Sequence, residues 1–195
     1  MSITRCRDLS AARWIEERPE EWSRLAGRGP VCFDGYSRLR ILPDPVFPGQ
    51  RETAVYVGPD ALHDTDQMGV VLEVLAQHTN TPEDCYFLVW EGWPSFHSEG
   101  AFPRVAIPTR GYYLFHGSLA DFPDWNTQFE ALLDDNEAPT PSFVWPADRA
   151  WCVTCDVDPH FATIGGSAEA IAATLALTEV DVVVDDPDVE PPYYC

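Results

Sequence analysis

Six consecutive apolar or aromatic residues, Cys85-Tyr86-Phe87-Leu88-Val89-Trp90, run without a polar interruption. A half-buried strand alternates polar with apolar side chains, whereas a run without alternation suits a strand covered on both faces. The run is far short of the roughly 20 apolar residues that a membrane-spanning helix needs. It therefore predicts the centre of a sheet, and every other segment must be arranged around it.

Strand character returns at 104–107 and 111–116, joined across Pro108 to Gly111 as an antiparallel hairpin, and again at 142–145 and 150–157. Shorter strands are expected at 31–33, 37–42 and 53–57, between Gly, Pro and Asp turn formers. The firmest helix has Met68, Val71, Leu72 and Leu75 at i, i+3, i+4 and i+7, with Asp66 as its expected cap. Ser10 is placed to cap 11–17, and Pro19 suits the first turn of a second helix ending at Gly27. Trp125 to Leu133 reads as a short helix. Gly165-Gly166-Ser167 opens another over 168–177, with Ser167 as cap. Strands and helices mix without regular alternation. The expectation is a single α+β domain: a mainly antiparallel sheet with helices packed on one face. Residues 1–28 form its N-terminal helical segment and 1–178 its whole. Residues 179–195 form an acidic tail, an edge strand at 180–184 and mobile beyond.

Charge narrows the partners. Among 195 residues there are 32 acids and 12 bases, all of them arginine, for a formal charge of −20. Binding to nucleic acid or to an anionic membrane needs clustered positive charge, so neither is expected. The division is uneven: residues 1–51 hold nine arginines against seven acids, and 52–195 hold three against 25. Such asymmetry marks a partner surface, or the docking of one part of the chain on another. A basic protein is the expected partner. The acids nominated to meet it are Asp134, Asp135, Glu137, Asp181, Asp185, Asp186 and Asp188. Trp93, in the loop after the apolar run, is nominated as an exposed anchor. The oligomeric state stays open.

The start of the chain lacks the apolar core of a secretory signal. The six cysteines, several within apolar runs, then read as reduced thiols of a cytoplasmic protein. One group of residues supports a different function. Cys152-Val153-Thr154-Cys155 is followed by Asp156, Asp158 and His160, side chains able to bind a metal or serve hydrolysis. Against this, a strand over 150–157 sends side chains three apart to opposite faces, about 10 Å apart along the chain. There is no second C-x-x-C and no G-x-S-x-G elbow. Gly165-Gly166-Ser167 is too short for a nucleotide fingerprint. No catalytic residue or cofactor is therefore nominated. A third reading makes the acids mimics of DNA phosphates.

The stretch Phe143-Val144-Trp145-Pro146-Ala147-Asp148-Arg149-Ala150-Trp151, followed by Gly165-Gly166-Ser167, resembles a pattern in uncharacterised actinobacterial proteins. Phe102-Pro103-Arg104 and Tyr112-Tyr113-Leu114-Phe115 resemble the preceding part of it, so the likeness covers about residues 85–177. That family brings no activity to transfer. At fold level, a small acidic α+β domain with scattered tryptophans is similar to bacterial toxin-immunity proteins of the SMI1/KNR4 type. That similarity implies a non-enzymatic factor that neutralises a basic toxin.

Overall fold

The computed structural model describes residues 3–195 apart from 60, 97–101 and 134–137. Among the described residues nine strands form one sheet: β1 (Thr4–Arg5), β2 (Gly35–Arg40), β3 (Cys85–Trp90), β4 (Val105–Ile107), β5 (Arg110–Gly117), β6 (Phe143–Pro146), β7 (Trp151–Thr154), β8 (Phe161–Gly166) and β9 (Val182–Val184). Their spatial order is β1-β5-β3-β6-β7-β8-β2-β9, with β4 also on β5, and each pairing is antiparallel. The apolar run is β3, hydrogen-bonded on both sides, and Phe87, Leu88 and Val89 are wholly buried. The α+β class with an antiparallel sheet is as the sequence predicts.

Successive side chains of β3 enter different cores. Cys85, Phe87 and Val89 join the larger one. It lies beneath α3 (Asp64–Leu75), α4 (Trp125–Leu133) and α5 (Ala168–Leu175). Leu88 joins the smaller one with Phe143, Trp145 and Cys152. That core is closed by α1 (Arg13–Glu16) and α2 (Trp22–Arg28), through Ile15 and Leu25. The three later helices thus share one face as expected, and the N-terminal segment supplies the cover that β3 needs on the other.

Several boundaries shift for local reasons. Residues 31–33 are not a strand, because the Tyr36 hydroxyl accepts from the Cys32 and Phe33 amides and holds them in a turn. Residues 52–54 form a 3-10 turn rather than part of a strand. Ser10 opens a 3-10 turn without a side-chain cap bond, and Glu21 caps α2. Helix α3 starts at Asp64, so Asp66 lies inside its first turn, near the positive dipole end, instead of capping it. Gly165 and Gly166 belong to β8, not to a helix start, whereas Ser167 caps α5 by accepting from the Ala170 amide. At Gly29, φ is +76° and an added Cβ would collide with the Thr154 hydroxyl, so this end of α2 requires glycine. Gly69, in the interior of α3, has neither constraint: its φ is not positive and a Cβ would meet Phe122 at 3.6 Å, an ordinary contact. A glycine there costs the helix about 1 kcal/mol relative to alanine.

The C-terminal segment, expected to be mobile past its strand, lies across the sheet as a strap. It passes over the face of β2 and β8 opposite Leu39. Asp185 is paired with Arg28 of α2 at 2.7 Å and lies 3.6 Å from Arg38 of β2, with all three side chains buried. Arg28 also donates to the Val189 and Asp186 carbonyls. Tyr193 packs on Phe161, and Tyr194 meets His160 edge-on. Breaking one side of a buried ion pair costs about 3–5 kcal/mol, because the surviving charge loses its partner. We predict a loss of that order for Asp185→Ala in urea unfolding, together with earlier proteolytic cutting near residue 190. A variant as stable as the parent would mean that the pair does not fasten the strap.

Candidate interaction site

The acids nominated from sequence are mostly occupied within the chain. Asp181 pairs with Arg40 at 2.7 Å, and Asp185 is only 6% exposed against Arg28 and Arg38. Asp188, although 84% exposed, is 3.2 Å from Arg24. The Asp186 carboxylate accepts from the Asp188 amide. The charge asymmetry along the chain is thus used inwardly: tail acids meet arginines of the first forty residues. Asp134, Asp135 and Glu137 lie outside the described residues. Trp93 is half-buried and packed against the larger core, not an exposed anchor, and its indole nitrogen is shielded from solvent.

The cysteine–aspartate–histidine group is brought together only in part: Cys155, Asp156, Asp158 and His160 line one small hollow of about 160 Å³, and Cys152 does not. Cys152 enters the smaller core and Cys155 the larger, on opposite sides of the sheet. Burial pushes both thiols up to about 12, where they are neither thiolate ligands nor nucleophiles at ordinary pH. Asp156 and Asp158 both reach Arg110 at 3.1 Å. Burial raises the Asp156 carboxyl, outweighing its hydrogen bond from Val157 and the Arg110 charge. His160, on the same hollow, meets Asp44 at 3.1 Å. Burial alone would push Asp44 up, but hydrogen bonds from Arg38 and His160 outweigh it and hold the carboxyl at about 2. Among the described residues no group of three or more His, Cys, Asp or Glu side chains is arranged to hold a metal ion.

The residues that carry the actinobacterial resemblance work as structural ties. Asp148 accepts from the Thr79 hydroxyl at 2.7 Å and from the Asn80 and Ala150 amides, fastening the β6–β7 turn to the loop after α3. These bonds outweigh its partial burial and lower its carboxyl. The Trp151 indole donates to the Leu75 carbonyl at 2.9 Å, at the end of α3. Arg149 lies over the Trp14 ring. This turn therefore positions α3 against the sheet.

Helix α3 forms one wall of a groove of about 700 Å³. The other wall is the 3-10 segment Leu119–Asp124 and the first turn of α4. Leu72, Leu119, Phe122 and Trp125 make an apolar floor, and Gly69 and Val70 lie along the α3 side. The floor is rigid: Phe87 stacks on Phe122 at 6.0 Å and meets Trp125 at 5.3 Å, and the Trp125 indole donates to the Pro139 carbonyl. Asp66, Glu73 and Glu83 stand exposed at the rim, and none of the lining side chains is basic. Leu62 borders this groove and also a second hollow lined by Tyr56 and Val57. Tyr56 is 87% exposed. Sequence reading treated the apolar side of α3 as core alone. Gly69, in the interior of α3, lies on the groove lining and carries no local signal of it.

No described helix is long and apolar enough to cross a membrane. Comparison with protein-family models, curated proteins and solved structures finds no match.

Two outcomes follow from the geometry. In folded protein near pH 8, the exposed Cys32 and Cys195 label with a thiol reagent, whereas Cys85, Cys152 and Cys155 label only on unfolding; rapid labelling of Cys152 and Cys155 would expose a reactive pair instead. Asp44→Asn costs about 2 kcal/mol at neutral pH, the equivalent of its lowered carboxyl. Because the folded value lies below the unfolded one near 4, that stability is present above about pH 4 and lost as pH falls towards 2. The stability gap between parent and variant closes across this window, and a gap unchanged to pH 2 would show that the charge is irrelevant.

Proposed function

We propose that the protein is a non-enzymatic, acidic interaction domain of the cytoplasm that binds a basic protein. An immunity factor that neutralises a basic toxin is the form this takes. The observation that carries the reading is the groove between α3 and Leu119–Asp124, apolar at its floor and acidic at its rim. An apolar floor supplies affinity by burial, while acids around it steer a cationic partner and set its orientation.

The rest of the surface supports the same partner class. Arg18, Arg24, Arg28, Arg38, Arg40, Arg104 and Arg110 all lie within ion-pair distance of carboxylates of their own chain. At least seven of the twelve cations are thus occupied, in a protein whose formal charge is −20. Such a charge balance opposes binding of a phosphate backbone. A DNA-mimic role draws no support from the tail, where Asp181, Asp185 and Asp188 are bonded inwardly.

The test is selection from a displayed library of random peptides on the intact protein. Retained sequences should be enriched in Arg and Lys and depleted in Asp and Glu relative to the input. They should also be released as salt rises from about 0.05 M to about 0.5 M, where exposed charges are screened. A retained pool without basic enrichment, or one indifferent to salt, overturns the reading.

A further inference from the structure

Gly69 is the starting observation. It occupies the interior of the longest described helix, where it weakens the helix relative to alanine. A glycine in such a place ordinarily answers to a turn, a close backbone approach or a positive φ, and Gly69 has none of these. A methyl group would fit against Phe122. What a larger side chain would do is fill the groove that Gly69 lines. The glycine therefore keeps the α3 side of the groove open beside Phe122.

We infer that this groove seats an amphipathic α-helix of a basic protein, with apolar side chains laid on Leu72, Phe122 and Trp125 and Arg or Lys side chains directed to Asp66 and Glu73. This rests on the acidic-interaction reading above and names the form of its partner. Charge selects the sign, since every ionisable group on the lining is a carboxylate. Spacing fits the shape: Asp66 and Glu73 are seven residues apart on α3, about 10 Å along its axis, so they face cations two turns apart on a neighbouring helix.

The walls argue against an extended ligand. The groove is bounded chiefly by α3, the 3-10 segment and α4, whose backbone groups are largely engaged within those turns, so a strand laid there would find no ladder to join. A helix satisfies its own backbone and needs only a face of side chains at i, i+3 or i+4, and i+7. Exposed Tyr56 and Val57 beyond Leu62 extend the apolar track past one end of the groove.

The test uses three synthetic helical peptides on the full-length protein, read by fluorescence anisotropy. One has an apolar face flanked by Arg and Lys, one has the same face flanked by Glu, and one is basic with the apolar face replaced by polar residues. Only the first should bind at about 0.15 M salt. Gly69→Leu should weaken it at least about tenfold, the equivalent of one blocked apolar anchor. Gly69→Ala should bind within about twofold of the parent and melt at a higher temperature. Asp66→Asn with Glu73→Gln should weaken binding at low salt and have no effect at high salt. If Gly69→Leu does not fold, Ala120→Arg, a change at an exposed position on the opposite wall, supplies the same test by repelling the cations. Equal binding of the acidic peptide overturns the partner chemistry. Unchanged binding to a folded Gly69→Leu or Ala120→Arg protein overturns the site. In that last case a library still enriched in basic sequences leaves the broader function standing, so the two failures are distinguishable.

Discussion

The pairing of Asp185 with Arg28 and Arg38 joins three parts of the molecule that share no local sequence: α2, an inner strand and the C-terminal strap. Burying three charges is costly, and the cost is met only when geometry and extra hydrogen bonds are good. Here Arg28 gains two carbonyl acceptors, and Arg38 gains the Asp44 carboxylate at 2.7 Å and the Phe161 ring. Asp44 in turn holds His160, which meets Tyr194. The β2–β8 end of this sheet face is therefore held by buried ion pairs and rings, where the part around Leu88 and Phe143 is held chiefly by apolar and aromatic side chains.

That division shapes what the molecule offers to others. Asp181, Asp185 and Asp188 each meet an arginine of their own chain, so the tail serves as a fastening. The groove proposed for recognition lies on the far side of the sheet, where α3 leaves a hollow over Phe122 and Trp125. Its acids, Asp66, Glu73 and Glu83, share the lining with no base.

Local chemistry made much of the fold readable. The uninterrupted run at 85–90 announced an inner strand, the spacing of Met68, Val71, Leu72 and Leu75 announced α3, and Pro108 with Gly111 announced the hairpin. Alternation correctly separated Cys152 from Cys155. Long-range facts were hidden. Nothing local to Phe33 shows that the hydroxyl of Tyr36 captures its amide. Nothing in Gly165-Gly166 shows that the strand needs bare backbone where Phe33, Tyr36 and Trp151 press close. The groove was hidden for the same reason: one glycine within a helix acquires meaning only when Phe122 is seen facing it.

The order of the strands has a consequence for biosynthesis. Strand β2 lies between β8 and β9, and Asp185 follows Arg28 by 157 residues. A nascent chain emerging from the ribosome therefore carries β2 with both edges bare until β8 is made, and Arg28 and Arg38 without Asp185 until the strap follows. Closure of the sheet awaits β9 and Asp185, which are synthesised long after β2. Contacts so distant in sequence make for slow maturation, and the abundant negative charge synthesised meanwhile keeps the unfinished chains apart.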